Sequence, residues 1–185
     1  MFQRLGISVY DSDAAVARLY QRGGRAVEIL AKEFPGVVRE GQVDRAELSK
    51  RIVGNENELH RLQSLVYPLM GEERERFLAE ARASEADMVV FDVPLLFETG
   101  GHLTMDAVVV CSAPSHVQRE RVLARPGMTD EKFDYLLSRQ MPDQEKRAQA
   151  HFVVVTDKGL DHAFEQVKMI VTELRTRKEK REGGA

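Results

Sequence analysis

Four short, mostly apolar runs, spread over the whole chain, constrain its fold more than any other feature. They cover residues 7–10, 88–92, 107–111 and 152–155, and the last three are rich in valine. Strands that are buried on both faces carry continuous apolar runs, whereas strands with one solvated face alternate apolar and polar residues. The runs therefore predict parallel strands in a sheet that is covered on both sides.

Segments with the apolar spacing of helices lie between these runs, at residues 13–20, 25–34, 45–53, 56–83, 115–124, 130–139, 143–149 and 160–177. Strands that alternate with helices predict an α/β fold with a parallel sheet. Pro68 predicts a kink or a break in the long segment, because proline lacks the N–H that a helix needs. Residues 21–83 contain no predicted strand, so we predict a helical insert there and a core domain from residues 1–20 and 84–185.

Composition gives no reason to expect a polyanionic partner, because 27 basic and 30 acidic residues leave a net charge of −3. Cys111 is the single cysteine, which suits a reducing cytoplasm. No apolar run reaches the roughly 18 residues of a membrane span, and the histidines show no metal-binding spacing. We expect a cytoplasmic monomer that has no metal site of its own and no membrane or nucleic-acid partner.

Charged side chains follow the predicted strands, where ligands bind in open α/β sheets. Asp11 and Asp13 follow the first run, and Glu98 follows the second. Arginines lie on the helix after the third run, at positions 119, 121 and 125. Carboxylates beside arginines suit a reaction in which a hydroxyl loses a proton and a phosphoryl group is transferred.

Each of these residues also has a purely structural interpretation. Asp11 is well placed to cap the following helix, a common role of aspartate. Asp13 lies in the first turn of that helix, where a cap is already supplied, so we favour a functional role for it. Glu98 could be a solvated loop residue, and the three arginines could be ordinary surface charges on a helix; both alternatives stay open.

Taken together, four segments resemble the dephospho-CoA kinase family of P-loop kinases: VYDSDAAVARLY, FPGVVREGQVDRAELSKRI, FDVPLLFETG and QRERVLARPGMTDEKFDYLLSRQ. The resemblance implies a three-layer P-loop kinase-like α/β fold, with a parallel sheet, a helical CoA-binding insert at residues 21–83 and a short lid near residues 125–140. It also implies ATP-dependent phosphorylation of the ribose 3′-hydroxyl of dephospho-CoA to give coenzyme A, with ATP as co-substrate and Mg²⁺.

The resemblance assigns roles to individual residues. Asp13 would be the catalytic base, and Arg121 would stabilise charge on the transferring phosphoryl group. Arg125 would belong to the lid, and Arg147 would lie near the adenine side of the nucleotide site. The substrate would be bound by Asp11, Tyr67, Pro94, Leu95 and Glu98. Tyr67 stands where the family usually has a histidine.

The phosphate-binding pattern G-x-x-x-x-G-K-[ST] of this family does not occur in the 185 residues. Residues 1–6 resemble the end of the helix that follows this loop. We therefore expect an N-terminally truncated kinase that lacks the first strand and the Walker A loop and is inactive as it stands. The alternatives are a non-catalytic remnant that binds CoA-like ligands, and another P-loop nucleoside or nucleotide kinase.

Overall fold

A computed structural model describes residues 1–183. It contains parallel strand pairs with helices between the strands in sequence, and these elements confirm the predicted α/β class. The chain divides into two compact units, Gly6–Val93 and Met1–Leu5 with the chain from Pro94 onwards. The predicted division assigns nucleotide binding to a core and CoA binding to an insert at residues 21–83. Because it is a functional assignment, it stays a prediction. Residues 184 and 185 of that predicted core lie outside the described residues.

The unit Gly6–Val93 contains four strands and four helices. Its elements are β1 (Ser8–Asp11), α1 (Ser12–Tyr20), α2 (Val27–Glu33), β2 (Val38–Arg39), β3 (Gln42–Val43), α3 (Arg45–Ile52), α4 (Glu56–Ala83) and β4 (Val89–Asp92). Strands β1 and β4 pair in parallel, with Ser8 opposite Val89 and Asp11 opposite Asp92. The two strands therefore end side by side.

A short hairpin interrupts the segment in which no strand was predicted, so that prediction is wrong. Strands β2 and β3 pair antiparallel. They are joined by Glu40 and Gly41, whose φ angles are 50° and 77°. Two successive residues with positive φ form the tight turn that matches the twist of a hairpin. Two-residue strands are too short to show alternation of apolar and polar residues, which explains the omission.

Helix α4 runs through Pro68 without interruption, so the predicted alternative of a break there is wrong. Leu62 and Val66, before the proline, are buried in the core of this unit, and Leu69 and Met70, after it, pack against the same core. Most of the stability of a helix in a protein comes from its packed apolar face. Packing on both sides of the proline is therefore what keeps α4 continuous.

The second unit contains the remaining strands, β5 (Val109–Ser112) and β6 (Phe152–Val155), and the helices α5 (Ser115–Leu123), α6 (Asp130–Ser138), α7 (Asp143–Gln149) and α8 (Leu160–Glu182). The strands pair in parallel, with Ser112 opposite Val155. Burial is less complete than predicted, because Cys111 in β5 is exposed. No helix within residues 1–183 is both long enough and apolar enough to cross a membrane.

Replacing Leu30 by alanine should test the core of the first unit, because this side chain is 0% exposed. We expect a loss of about 2–5 kcal/mol in the free energy of unfolding, from lost burial and a residual cavity. The neighbouring Ile29 is 37% exposed, so its replacement by alanine should cost only about 0.5 kcal/mol. Urea denaturation followed by circular dichroism measures both; equal losses would contradict this packing.

Candidate active site

Three carboxylates lie where β1 and β4 end. The register of the two strands places Asp11 opposite Asp92. Asp13 follows in the first turn of α1. All three residues are exposed. The structure therefore brings the predicted Asp11 and Asp13 together with a third acid, at the carboxyl edge of this strand pair; we call these three residues the acidic edge.

Two polar contacts fix the backbone around Asp13. The Asp11 side chain caps α1 by accepting the N–H of Ala14 at 2.8 Å, which confirms the capping interpretation. The Ser12 hydroxyl donates to the carbonyl oxygen of Asp92 and ties the start of α1 to the end of β4. Within the described part of the chain, Asp13 makes no hydrogen bond or ion pair through its side chain, so its carboxylate is available for other chemistry.

Asp92 is the one acid of this edge that is not among the predicted site residues. Although the residue as a whole is exposed, its carboxyl group is partly desolvated, which raises its pKa, and the negative charges of Asp11 and Asp13 raise it further. Like charges held close together cost stability and are typical of functional sites. The sequence does carry a signal for Asp92. This acid ends the apolar run 88–92, and its position resembles that of Asp11, which follows the run 7–10.

The acidic edge does not by itself form a metal cage. In the described residues 1–183, no group of three or more histidine, cysteine, aspartate or glutamate side chains is placed to hold a metal ion. Mg²⁺ is a hard cation that usually keeps several waters and binds one or two protein carboxylates together with substrate phosphates. The carboxylates present fit that mode, in which the phosphates supply the remaining ligands.

Glu98 lies in the second unit and is held by two donors. Its Oε1 accepts the N–H of Met141 at 2.8 Å and lies 2.7 Å from Nζ of Lys146. Its side chain is 16% exposed, so the alternative of a solvated loop residue is wrong. Burial alone would raise the pKa of Glu98, but the hydrogen bond from Lys146, with those from the backbone N–H groups of Glu98 itself and Met141, outweighs it and lowers the pKa. Pro94 and Leu95, earlier in the same loop, are exposed.

The two arginines of α5 have different partners. Arg121 donates to the carbonyl oxygen of Thr156 at 2.8 Å and to its hydroxyl at 3.2 Å. Arg119 instead pairs with Asp130 and Asp134 of α6. The charge of Arg119 is thus compensated by carboxylates, whereas the described contacts of Arg121 are to neutral oxygens. A guanidinium held in this way keeps its positive charge available for an anion.

The other predicted residues lie on exposed surfaces. Arg125 is exposed at the turn after α5. Tyr67, on α4 of the first unit, is 53% exposed. Arg147 lies on α7 and contributes to a shallow cavity of about 560 Å³ that is wide open to solvent and is lined by Asp143, Gln144, Arg147, Ala148 and Val153. The roles of Arg125, Tyr67 and Arg147 stay predictions.

Replacing Asp92 by asparagine should stabilise the protein at pH 7. The raised pKa means that the ionised form of Asp92 disfavours folding. This cost is complete above the raised pKa and disappears below the ordinary value of 3.8, where the carboxyl is protonated in both states. The gain in Tm should therefore shrink as the pH falls towards 3.8. Thermal melts at several pH values measure the gain in Tm, with Asp106→Asn as control. A lower Tm for Asp92→Asn than for the parent protein at pH 7 would show that ionised Asp92 does not destabilise the fold.

Comparisons with known proteins identify the family of the chain. The dephospho-CoA kinase family model matches residues 1–162. A dephospho-CoA kinase from Mesorhizobium japonicum is 47% identical over 175 residues, which are 95% of this chain and 88% of the relative. One from Rhodopseudomonas palustris strain HaA2 is 47% identical over 171 residues, 92% of this chain and 85% of the relative.

Solved structures show the same fold. The crystal structure of TT1252 from Thermus thermophilus has a TM-score of 0.78 at 30% identity and covers 94% of this chain and 87% of that one. A dephospho-CoA kinase from Campylobacter jejuni has a TM-score of 0.59 at 19% identity, covers 92% of this chain and 86% of that one, and supports the fold alone. The P-loop kinase-like fold class is thus confirmed, and the chain belongs to the dephospho-CoA kinase family.

Proposed function

We propose that this chain carries the catalytic base of a kinase that transfers the γ-phosphate of ATP to the ribose 3′-hydroxyl of dephospho-CoA. The observation that carries the proposal is the acidic edge, at which the ends of β1 and β4 lie in register. Asp13 is exposed there, and its carboxylate is not used for capping α1. A carboxylate in this position can accept the proton that the attacking hydroxyl loses.

Arg121 supplies positive charge to the transferring phosphoryl group. Phosphoryl transfer depends mostly on positioning and on electrostatic stabilisation, because little covalent chemistry falls to the protein. The contacts of Arg121 to Thr156 hold the guanidinium without neutralising it. Arg125 and the lid near residues 125–140 cover the phosphates, and the cavity beside Arg147 takes the nucleotide.

The helical segment of residues 21–83 binds the substrate, with Tyr67 in place of the histidine that is usual in the family. The exposed side chains of Pro94 and Leu95 offer apolar contacts from the loop after β4. Tyr67 can stack on a base and form a hydrogen bond, but it carries no positive charge near neutral pH. Binding of dephospho-CoA at Tyr67 therefore rests on stacking rather than on an ion pair.

The phosphates of ATP need a cradle of backbone N–H groups and a lysine. No G-x-x-x-x-G-K-[ST] segment occurs in the 185 residues. We infer that transfer requires a phosphate-binding segment in addition to these residues. Carboxylates of the acidic edge would help to hold Mg²⁺, which would supply positive charge to the phosphates. Binding of CoA-like ligands without transfer is the second candidate function, and the missing motif favours it for the 185 residues alone.

A coupled assay of ADP release tests the proposal, with the protein made from its own gene and dephospho-CoA as acceptor. Turnover with dephospho-CoA supports it. Equal or better turnover with adenosine or a nucleoside monophosphate would indicate a different nucleotide kinase. Binding of dephospho-CoA without turnover would indicate the binding function. Full activity of the 185 residues alone would contradict the need for a separate phosphate-binding segment.

Replacing Asp13 by asparagine should lower kcat by roughly 10²–10⁴-fold, because the hydroxyl loses its proton acceptor. The Kd for ATP should change little, since the substitution acts on the chemical step. Asp106→Asn, a change of the same kind at another exposed acid, is the matched control. An equal loss of ATP affinity would identify Asp13 as a binding or structural residue.

Replacing Arg121 by alanine should lower kcat by about 10³-fold or more if its charge stabilises the transferring group. Arg119→Ala is the comparison on the same helix, because Asp130 and Asp134 already compensate the charge of Arg119. Steady-state kinetics and thermal melts separate the two effects. A change in Tm alone for Arg121→Ala would reduce Arg121 to a structural residue.

A further inference from the structure

Helix α7 is held without any buried side chain. It spans seven residues, Asp143–Gln149, none of which is buried. Helices shorter than about 12–15 residues are marginal on their own. By contrast, α8 buries Ala163, Val167, Ile170 and Val171. The place of α7 must therefore be set by polar contacts rather than by an apolar face.

Three such contacts are present in the second unit. The Ser112 hydroxyl, at the end of β5, donates to Oδ2 of Asp143 at 2.8 Å. Lys146, one turn further along α7, lies 2.7 Å from Oε1 of Glu98. The same oxygen accepts the N–H of Met141, just before the helix, at 2.8 Å. A single carboxylate oxygen of Glu98 thus contacts both Met141, just before α7, and Lys146, in the middle of α7.

The pair of Glu98 and Lys146 is shielded from solvent. Their side chains are 16% and 15% exposed, whereas those of a comparable pair on α8, Glu165 and Lys168, are 63% and 44% exposed. Screening by salt and water weakens exposed pairs, so that many contribute little. A shielded pair that also accepts a backbone N–H is a stronger and more directional contact.

We infer that Lys146 is a positioning residue: through Glu98 it fixes α7 and thereby places Arg147 on the cavity that this helix lines. Arg147 follows Lys146 directly, and a helix has 3.6 residues per turn, so any rotation of α7 that frees Lys146 also turns Arg147 away. The ligand class is an anionic nucleotide, and this part rests on the proposed function. Glu98 then acts through α7, and the nucleotide does not need to touch it.

Hydrogen exchange of the protein made from its own gene tests the positioning directly. In Lys146→Met, exchange of the Met141 amide and of the α7 amides should rise about tenfold or more, as expected when a contact to a charged group is lost. Lys146→Arg should restore most of the protection, since it keeps the charge. Lys168→Met, at the exposed pair, should leave these amides unchanged. Unchanged exchange at Met141 in Lys146→Met would overturn the inference.

Calorimetric titration with ATP separates this inference from the proposed function. Lys146→Met should weaken ATP binding about as much as Arg147→Ala, by roughly tenfold, the loss of one charged contact. Loss of ATP affinity only in Arg147→Ala would overturn the inference. The parent protein could bind no ATP while exchange of the Met141 amide still rises in Lys146→Met. That result would contradict the nucleotide-binding role of Arg147 but support the positioning of α7 by Glu98 and Lys146.

Discussion

The parallel pairing of β1 with β4 is the constraint on which the proposed chemistry depends. Because the two strands are in register, Asp11 and Asp92 end side by side, and the first turn of α1 adds Asp13. The cap by Asp11 and the bond from Ser12 hold this turn in place. The structure tolerates the repulsion among three acids; burial of its carboxyl group and then the charges of Asp11 and Asp13 raise the pKa of Asp92.

Polar contacts organise the second unit in a different way. Arg121 is aligned by neutral oxygens of Thr156, and Arg119 fastens α6 through two aspartates. Helix α7 is held by hydrogen bonds and one shielded ion pair instead of by buried side chains. Short, polar elements of this kind can carry charged residues such as Arg147 at a surface, where an apolar helix would bury its side chains.

The sequence predicted the regular elements better than the contacts between distant residues. The bounds of β6 and α7 were predicted without error, because valine runs and helical spacing are local signals. The hairpin of β2 and β3 was missed, because its strands are too short to show a period. Lys146 was missed for another reason: its partner lies 48 positions earlier in the chain (Glu98), and no local pattern distinguishes it from Arg147. Asp92 had a visible signal in the sequence, because it is the acid that ends the run 88–92.

Carboxyl carbon-13 resonances of the aspartates, followed during titration with dephospho-CoA, test the central claim most directly. If the acidic edge faces the sugar hydroxyl, the resonance of Asp13 moves as the ligand saturates the protein, and that of Asp92 moves with it. Binding is established independently by calorimetry. Saturation that leaves Asp13 unchanged, while only acids outside the acidic edge respond, would contradict the account.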